Sequence, residues 1–239
     1  MAVALLLYGP IPQDPGYHRF ADTRGLSGVP NALNVLSNAP FALVGALGLA
    51  SVLRGRGTDF ADPRERWAYA AFFLGVAATG AGSAWYHLAP DNARLVWDRL
   101  PMTLAFVSLL AAVVAERVDV PLGRRLLGPL LVLGLASVLH WHLTEQRGAG
   151  DLRLYALVQF VPLLVVPLLM ALYEARYTRG GDMAVVVALY GAAKLFEAQD
   201  AAVFRLGHVL SGHSLKHLAA AAATYWVLRM LRRRVPSPA

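Results

Sequence analysis

Long apolar stretches recur along this chain, and the joints between them are short and rich in arginine, proline and glycine. A bilayer core about 30 Å thick asks for roughly 20 apolar residues per helical crossing. Stretches of about that length run over 34–53, 67–88, 95–115, 126–143, 152–173, 183–204 and 212–231, the third interrupted by Asp98 and Arg99. The pattern predicts an all-α integral membrane protein with seven transmembrane helices. Residues 1–30 are expected to precede the bundle on one face, 31–232 to form it, and 233–239 to leave it as a basic tail.

Composition agrees with the pattern. Of 239 residues, 57% are hydrophobic and only 15% charged, more apolar material than one soluble core of this length needs, so a second apolar solvent, the lipid bilayer, is required. The net charge of +7 raises the question of nucleic acid, but the arginines sort by joint instead of forming one basic face. Arg54, Arg56, Arg64, Arg66, Arg117, Arg124, Arg125, Arg176, Arg179, Arg229, Arg232, Arg233 and Arg234 crowd one set of alternate joints. Arg19, Arg24, Arg94, Arg147, Arg153 and Arg205 occupy the other. The positive-inside rule then puts the C-terminus in the cytoplasm and the N-terminus outside, with no nucleic-acid partner expected. The opening MAVALLLYGP lacks a basic n-region and a cleavage site, so no signal peptide is expected. Without cysteine there is neither a disulfide nor a thiolate metal ligand.

A charge at mid-membrane costs on the order of 2.5–3.5 kcal/mol on insertion scales, so each ionisable residue inside a stretch needs a partner or a function. Those residues are His87, Asp98, Lys194, Glu197, His213 and His217. The topology puts His87, Asp98, His213 and His217 in the outer third of the bilayer, where they can converge. Ser83 and His87 are four apart and share one helical face, as do His213 and His217. Two histidines of one face plus a third from elsewhere make a three-nitrogen zinc shell with a fourth position open, and Asp98 is left as a proton acceptor. Taken singly, each histidine could equally be interfacial. That reading is assigned to His140, His142 and His208, with His142 the best spare ligand or outer-sphere donor. Lys194 and Glu197 are expected to form a structural ion pair.

The segments GSAWYH at 82–87, WDRLPM at 97–102 and SGHSLKH at 211–217 resemble the alkaline ceramidase family of the CREST group of seven-helix membrane hydrolases. The likeness reaches NALNVLSNAPF at 31–41 and is greatest to bacterial ceramidase-domain proteins, which implies a bacterial inner membrane with the site near its periplasmic face. It implies zinc on His87, His213 and His217, with Asp98 and Ser83 at the reaction centre. Eukaryotic members also carry an acidic N-terminal calcium site. Residues 17–31 here offer Asp22 but no dense acidic cluster, and Asn31 stands where an acidic ligand is expected, so no calcium site is assigned.

The activity implied is hydrolysis of the amide of a ceramide-like lipid to a sphingoid base and a fatty acid, with Asp98 moving the proton and the Ser83 hydroxyl donating to the zinc-bound water or to the developing oxyanion. The lipid tails are expected to enter a pocket that opens sideways. Gly75, Ala77, Ala78, Gly80, Gly82 and the alanine run 219–223 leave room for an acyl chain or allow close helix packing. Rival readings are hydrolysis of another lipid amide or ester, and a non-catalytic seven-helix lipid receptor with structural zinc. Transport ranks third, for want of an inverted repeat.

Overall fold

The computed structural model describes residues 8–55 and 60–237. Arg56, the first residues of the N-terminal segment and the last two of the tail lie outside the described residues. Helices α1 (Ala32–Leu36), α2 (Ala39–Arg54), α3 (Arg66–Leu88), α4 (Asn92–Arg117), α5 (Val120–Gln146), α6 (Arg153–Leu172), α7 (Asp182–Ala198), α8 (Asp200–Gly207) and α9 (Gly212–Arg233) follow in chain order. Among the described residues, four spans are long and apolar enough to cross a membrane: 32–54, α4, α5 and α6. Helix α7 has only 17 residues, and α3 and α9 carry the histidines, serines and lysine that dilute their hydropathy. The helices that bear the three histidines are thus among those that composition alone identifies least well.

Two of the stretches read from the sequence are broken. The first divides at Ser37 and Asn38, because Pro40 begins α2 without a backbone donor and Ser37 and Asn38 turn their side chains onto the Asn34 carbonyl. The sixth ends at Ala198, and α8 follows as a separate short helix. Asp200 at its start spends its carboxylate on the backbone N–H groups of His213 (2.7 Å) and Ala21 (2.8 Å). Both breaks bring polar groups toward the same end of the bundle.

Close packing explains the small residues of α3. A Cβ on Gly82 would meet the Trp97 carbonyl at 2.0 Å, one on Gly80 the Ala42 nitrogen at 2.6 Å, and one on Gly75 the Ala105 nitrogen at 2.7 Å. These glycines seat α3 against α2 and α4, and they do not line an acyl pocket. Tyr69, Phe72, Phe73 and Val76 of the same helix are buried in the main apolar core with Val227, Leu228 and Leu231 of α9.

At the opposite end, Arg64, Arg117 and Arg176 line one polar cleft with Glu116 and Asp119. Arg234 is buried, pairs with Glu116 and lies 3.9 Å from the Tyr177 ring centroid. Beyond it the backbone runs along the α6–α7 joint, with Thr178 N–H donating to the Val235 carbonyl (2.9 Å) and Ser237 N–H to Arg176 (3.0 Å). The start of the basic tail is therefore docked on the protein.

Candidate metal centre and cavity

His87 ends α3, and His213 and His217 lie on the first two turns of α9, whose start is fixed by the Ser211 hydroxyl accepting from Ser214 N–H (3.1 Å) and by Asp200. The three rings are 1%, 5% and 4% exposed, and one nitrogen from each falls within a sphere of mutual distances no greater than 4.8 Å. His87 Nε2 and His213 Nε2 stand 3.2 Å apart. Phe20 packs against the His87 and His213 rings, at 4.7 and 4.4 Å between centroids.

The Ser37 hydroxyl sets the third ring. It lies 3.1 Å from the Asn34 carbonyl and 2.8 Å from His217 Nδ1. A hydroxyl carries one hydrogen, which the carbonyl takes, so Ser37 accepts from His217 Nδ1–H. The Nε2 lone pair is then free on the side of the other two histidines. Asn34 also accepts from Ser214 Oγ (2.8 Å), tying the α1–α2 break to α9. Three buried imidazoles with converging nitrogens, one of them oriented by Ser37, suit a borderline cation such as zinc. Among the described residues no fourth histidine or carboxylate joins the group.

A cavity of about 480 Å³ begins beside His217. Ser83 and Asp98 line it, both buried, and the serine hydroxyl interacts with the carboxylate. Its deep part is apolar, walled by Phe72, Val76, Leu109, Val166 and Val186, and Ala220 and Ala223 of the alanine run of α9 face it as well. Of the five sequence-predicted site residues, Ser83, Asp98 and His217 line the cavity, and His87 and His213 group with His217. Lys194 and Glu197 form the expected ion pair, and both line the same cavity.

Other residues fall elsewhere. His142 is not brought to the triad: its Nε2 lies 3.0 Å from the Gln146 amide on α5. His140 approaches Asp151 at 3.6 Å, and His208 ends α8 in a left-handed conformation. Asp22 is bound in bidentate fashion by Arg24, whose guanidinium holds its carboxyl below the usual carboxylate range. Asn31 donates to the His87 carbonyl (2.9 Å).

Sequence reading passed over Lys216, Ser37, Phe20 and Asp200. Lys216 was detectable by the criterion that found Lys194, a lone cation inside an apolar stretch, and its Nζ donates to Glu197 at 2.6 Å. Phe20 and Asp200 had no such signal, since their roles arise from long-range packing.

A family model described as ceramidase matches residues 28–233. The chain belongs to the ceramidase family. No curated protein matches it in sequence. Membership in the ceramidase family implies an amidohydrolase, and the matched range contains Ser83, His87, Asp98, His213 and His217 together with α1 to α9.

Proposed function

We propose that this protein is a zinc-dependent intramembrane amidohydrolase that cleaves ceramide-like lipids to a sphingoid base and a fatty acid. The observation that carries the reading is the convergence of three buried imidazoles, one of which, His217, lines the same cavity as Ser83 and Asp98, with no fourth protein ligand among the described residues. A structural zinc site is closed by four protein ligands, whereas a catalytic one keeps a position open. That difference favours an enzyme over a receptor.

A zinc ion held by His87, His213 and His217 would supply Lewis acidity and a water made acidic enough to ionise near neutral pH. The chain's own groups do the rest. Apolar walls hold the acyl chain, so that the amide carbonyl comes to rest between the histidines and Asp98. The Asp98 carboxylate accepts the proton of the attacking water, and returns it to the amine nitrogen as the C–N bond breaks. The Ser83 hydroxyl, beside that carboxylate, donates to the oxygen on which negative charge develops.

Seven crossings are proposed, with α1 and α2 together as the first and α7 and α8 as the sixth. The cleft at the arginine-rich end then faces the cytoplasm, and the histidines face the outside of a bacterial inner membrane. The test is release of fatty acid from an N-acyl sphingoid base by detergent-purified protein, beside the matching ester lipid. Release from the amide that disappears on chelation and returns with zinc is expected. Release from the ester alone would replace the amidase reading by an esterase one.

A further inference from the structure

The polar end of the cavity holds more positive charge than its carboxylates neutralise. Arg99, Lys194 and Lys216 line it, against Asp98 and Glu197. Asp14 also borders it, but that carboxylate is exposed at the rim and caps its own turn through Gly16 N–H (2.7 Å). Glu197 alone serves both lysines. Arg99 is 4% exposed and, among the described residues, forms no ion pair. Its one hydrogen bond goes to the neutral Gln13 amide oxygen (2.7 Å), its Nε and Nη1 have no partner, and the rings of Tyr17, Trp141 and Tyr155 surround it at 4.3–5.4 Å.

Arg99 and Lys216 both feel the single Asp98 charge; a cation only partly compensated in a low-dielectric interior is costly, and a divalent ion on the histidines would add to the same sign. The aromatic box offsets part of the cost for Arg99. Lys216 has no such box. It is three residues from His213 and adjacent to His217, lies near enough to Asp98 to feel its charge, and has two N–H donors beyond the one given to Glu197.

We propose that this end of the cavity is an anion subsite, in which Lys216 binds an acidic headgroup, carboxylate or phosphate, of the acyl-amide lipid while Arg99 supplies the surrounding positive field. The inference rests on the amidohydrolase reading and narrows its substrate class: acyl amides with an anionic headgroup are preferred over neutral ones. Lys194, nearer the surface, keeps Glu197 neutralised when Lys216 turns to the ligand.

The test compares three amide lipids with one acyl chain, an N-acyl amino acid, an N-acyl aminoalkyl phosphate and an N-acyl aminoalcohol, on wild type, Lys216→Met and Lys216→Arg. The expected kcat/KM for at least one anionic lipid exceeds that for the neutral one by about tenfold or more, the size of one charge-assisted hydrogen bond. In K216M the ratio falls to near one, and in K216R it recovers. Which anion is preferred identifies the headgroup. Equal turnover of all three by wild type, or an unchanged ratio in K216M, would overturn the subsite. A parallel measurement needs no turnover: thermal stabilisation of the same proteins by dodecyl phosphate, dodecanoate and dodecanol. Selective stabilisation by the anions in wild type and K216R, absent from K216M, supports the subsite even if no amide is cleaved, an outcome that would sink only the amidase reading. Stabilisation by the anions that is the same in K216M overturns it.

Discussion

Replacing Ser37 by alanine should loosen the proposed metal centre without touching a proposed ligand. The hydroxyl is the hydrogen-bond acceptor for His217 Nδ1–H at 2.8 Å, across 180 residues of sequence, and it is buried. Its removal leaves that N–H unpaired in an apolar site, at a cost of about 1–3 kcal/mol. The Asn34 carbonyl does not add to this, because it still accepts from Asn38 Nδ2 at 2.7 Å. Free of Ser37, the imidazole can also take its other tautomer, in which Nε2 carries the hydrogen and cannot bind a cation. The two effects act in one direction, and loss of such a partner typically lowers metal affinity by about 10–100-fold. The assay is zinc retention by detergent-purified wild type and Ser37→Ala against a graded chelator, with helicity by circular dichroism as the control. An affinity unchanged at native helicity would refute the assigned tautomer and the role given to Ser37.

Further expectations follow from the same geometry. His213→Ala should lose both metal and activity, as read by elemental analysis and fatty-acid release; an active metal-free variant would remove the triad from the chemistry. Asp98→Asn should retain metal but lose turnover by at least about 100-fold, and retained turnover would take Asp98 out of proton transfer. Gly82→Ala must push α4, through the Trp97 carbonyl next to Asp98, away from α3, so a melting temperature lowered by the equivalent of about 1–3 kcal/mol is expected. A wild-type melting temperature would contradict that contact. Because the Asp22 carboxyl is depressed in the folded state, its pairing with Arg24 stabilises the protein above the ordinary carboxylate range and is lost as pH falls through the depressed value. Wild type should therefore lose more stability than Asp22→Asn on acidification below about pH 4, measured by thermal melts across that range.

The candidate site residues stood out because each is an expensive polar group in an apolar stretch, and the i,i+4 spacing of His213 and His217 already put both on one face. The helix breaks did not. Pro40 was a signal for the first that the count of apolar residues outweighed, whereas the second shows only in the tertiary partners of Asp200, the backbone N–H groups of His213 and Ala21. The glycines of α3 illustrate a different limit: room for a lipid chain and close helix packing ask for the same small residues, and only the approach of Trp97, Ala42 and Ala105 decides for packing. His142 looked like a spare ligand since sequence spacing says nothing of which way α5 turns its face. In contrast, Lys216 was legible in principle, and its pairing with Glu197 turned an expected pair into a three-member cluster on the cavity wall.

The central claim is that the three histidines hold a metal that the hydrolysis of a lipid amide requires. Elemental analysis of detergent-purified wild type and His217→Ala, run beside fatty-acid release from a labelled ceramide, tests it most directly. The account predicts one zinc per chain and release in the wild type, and neither in the variant; release by His217→Ala without bound metal would contradict it.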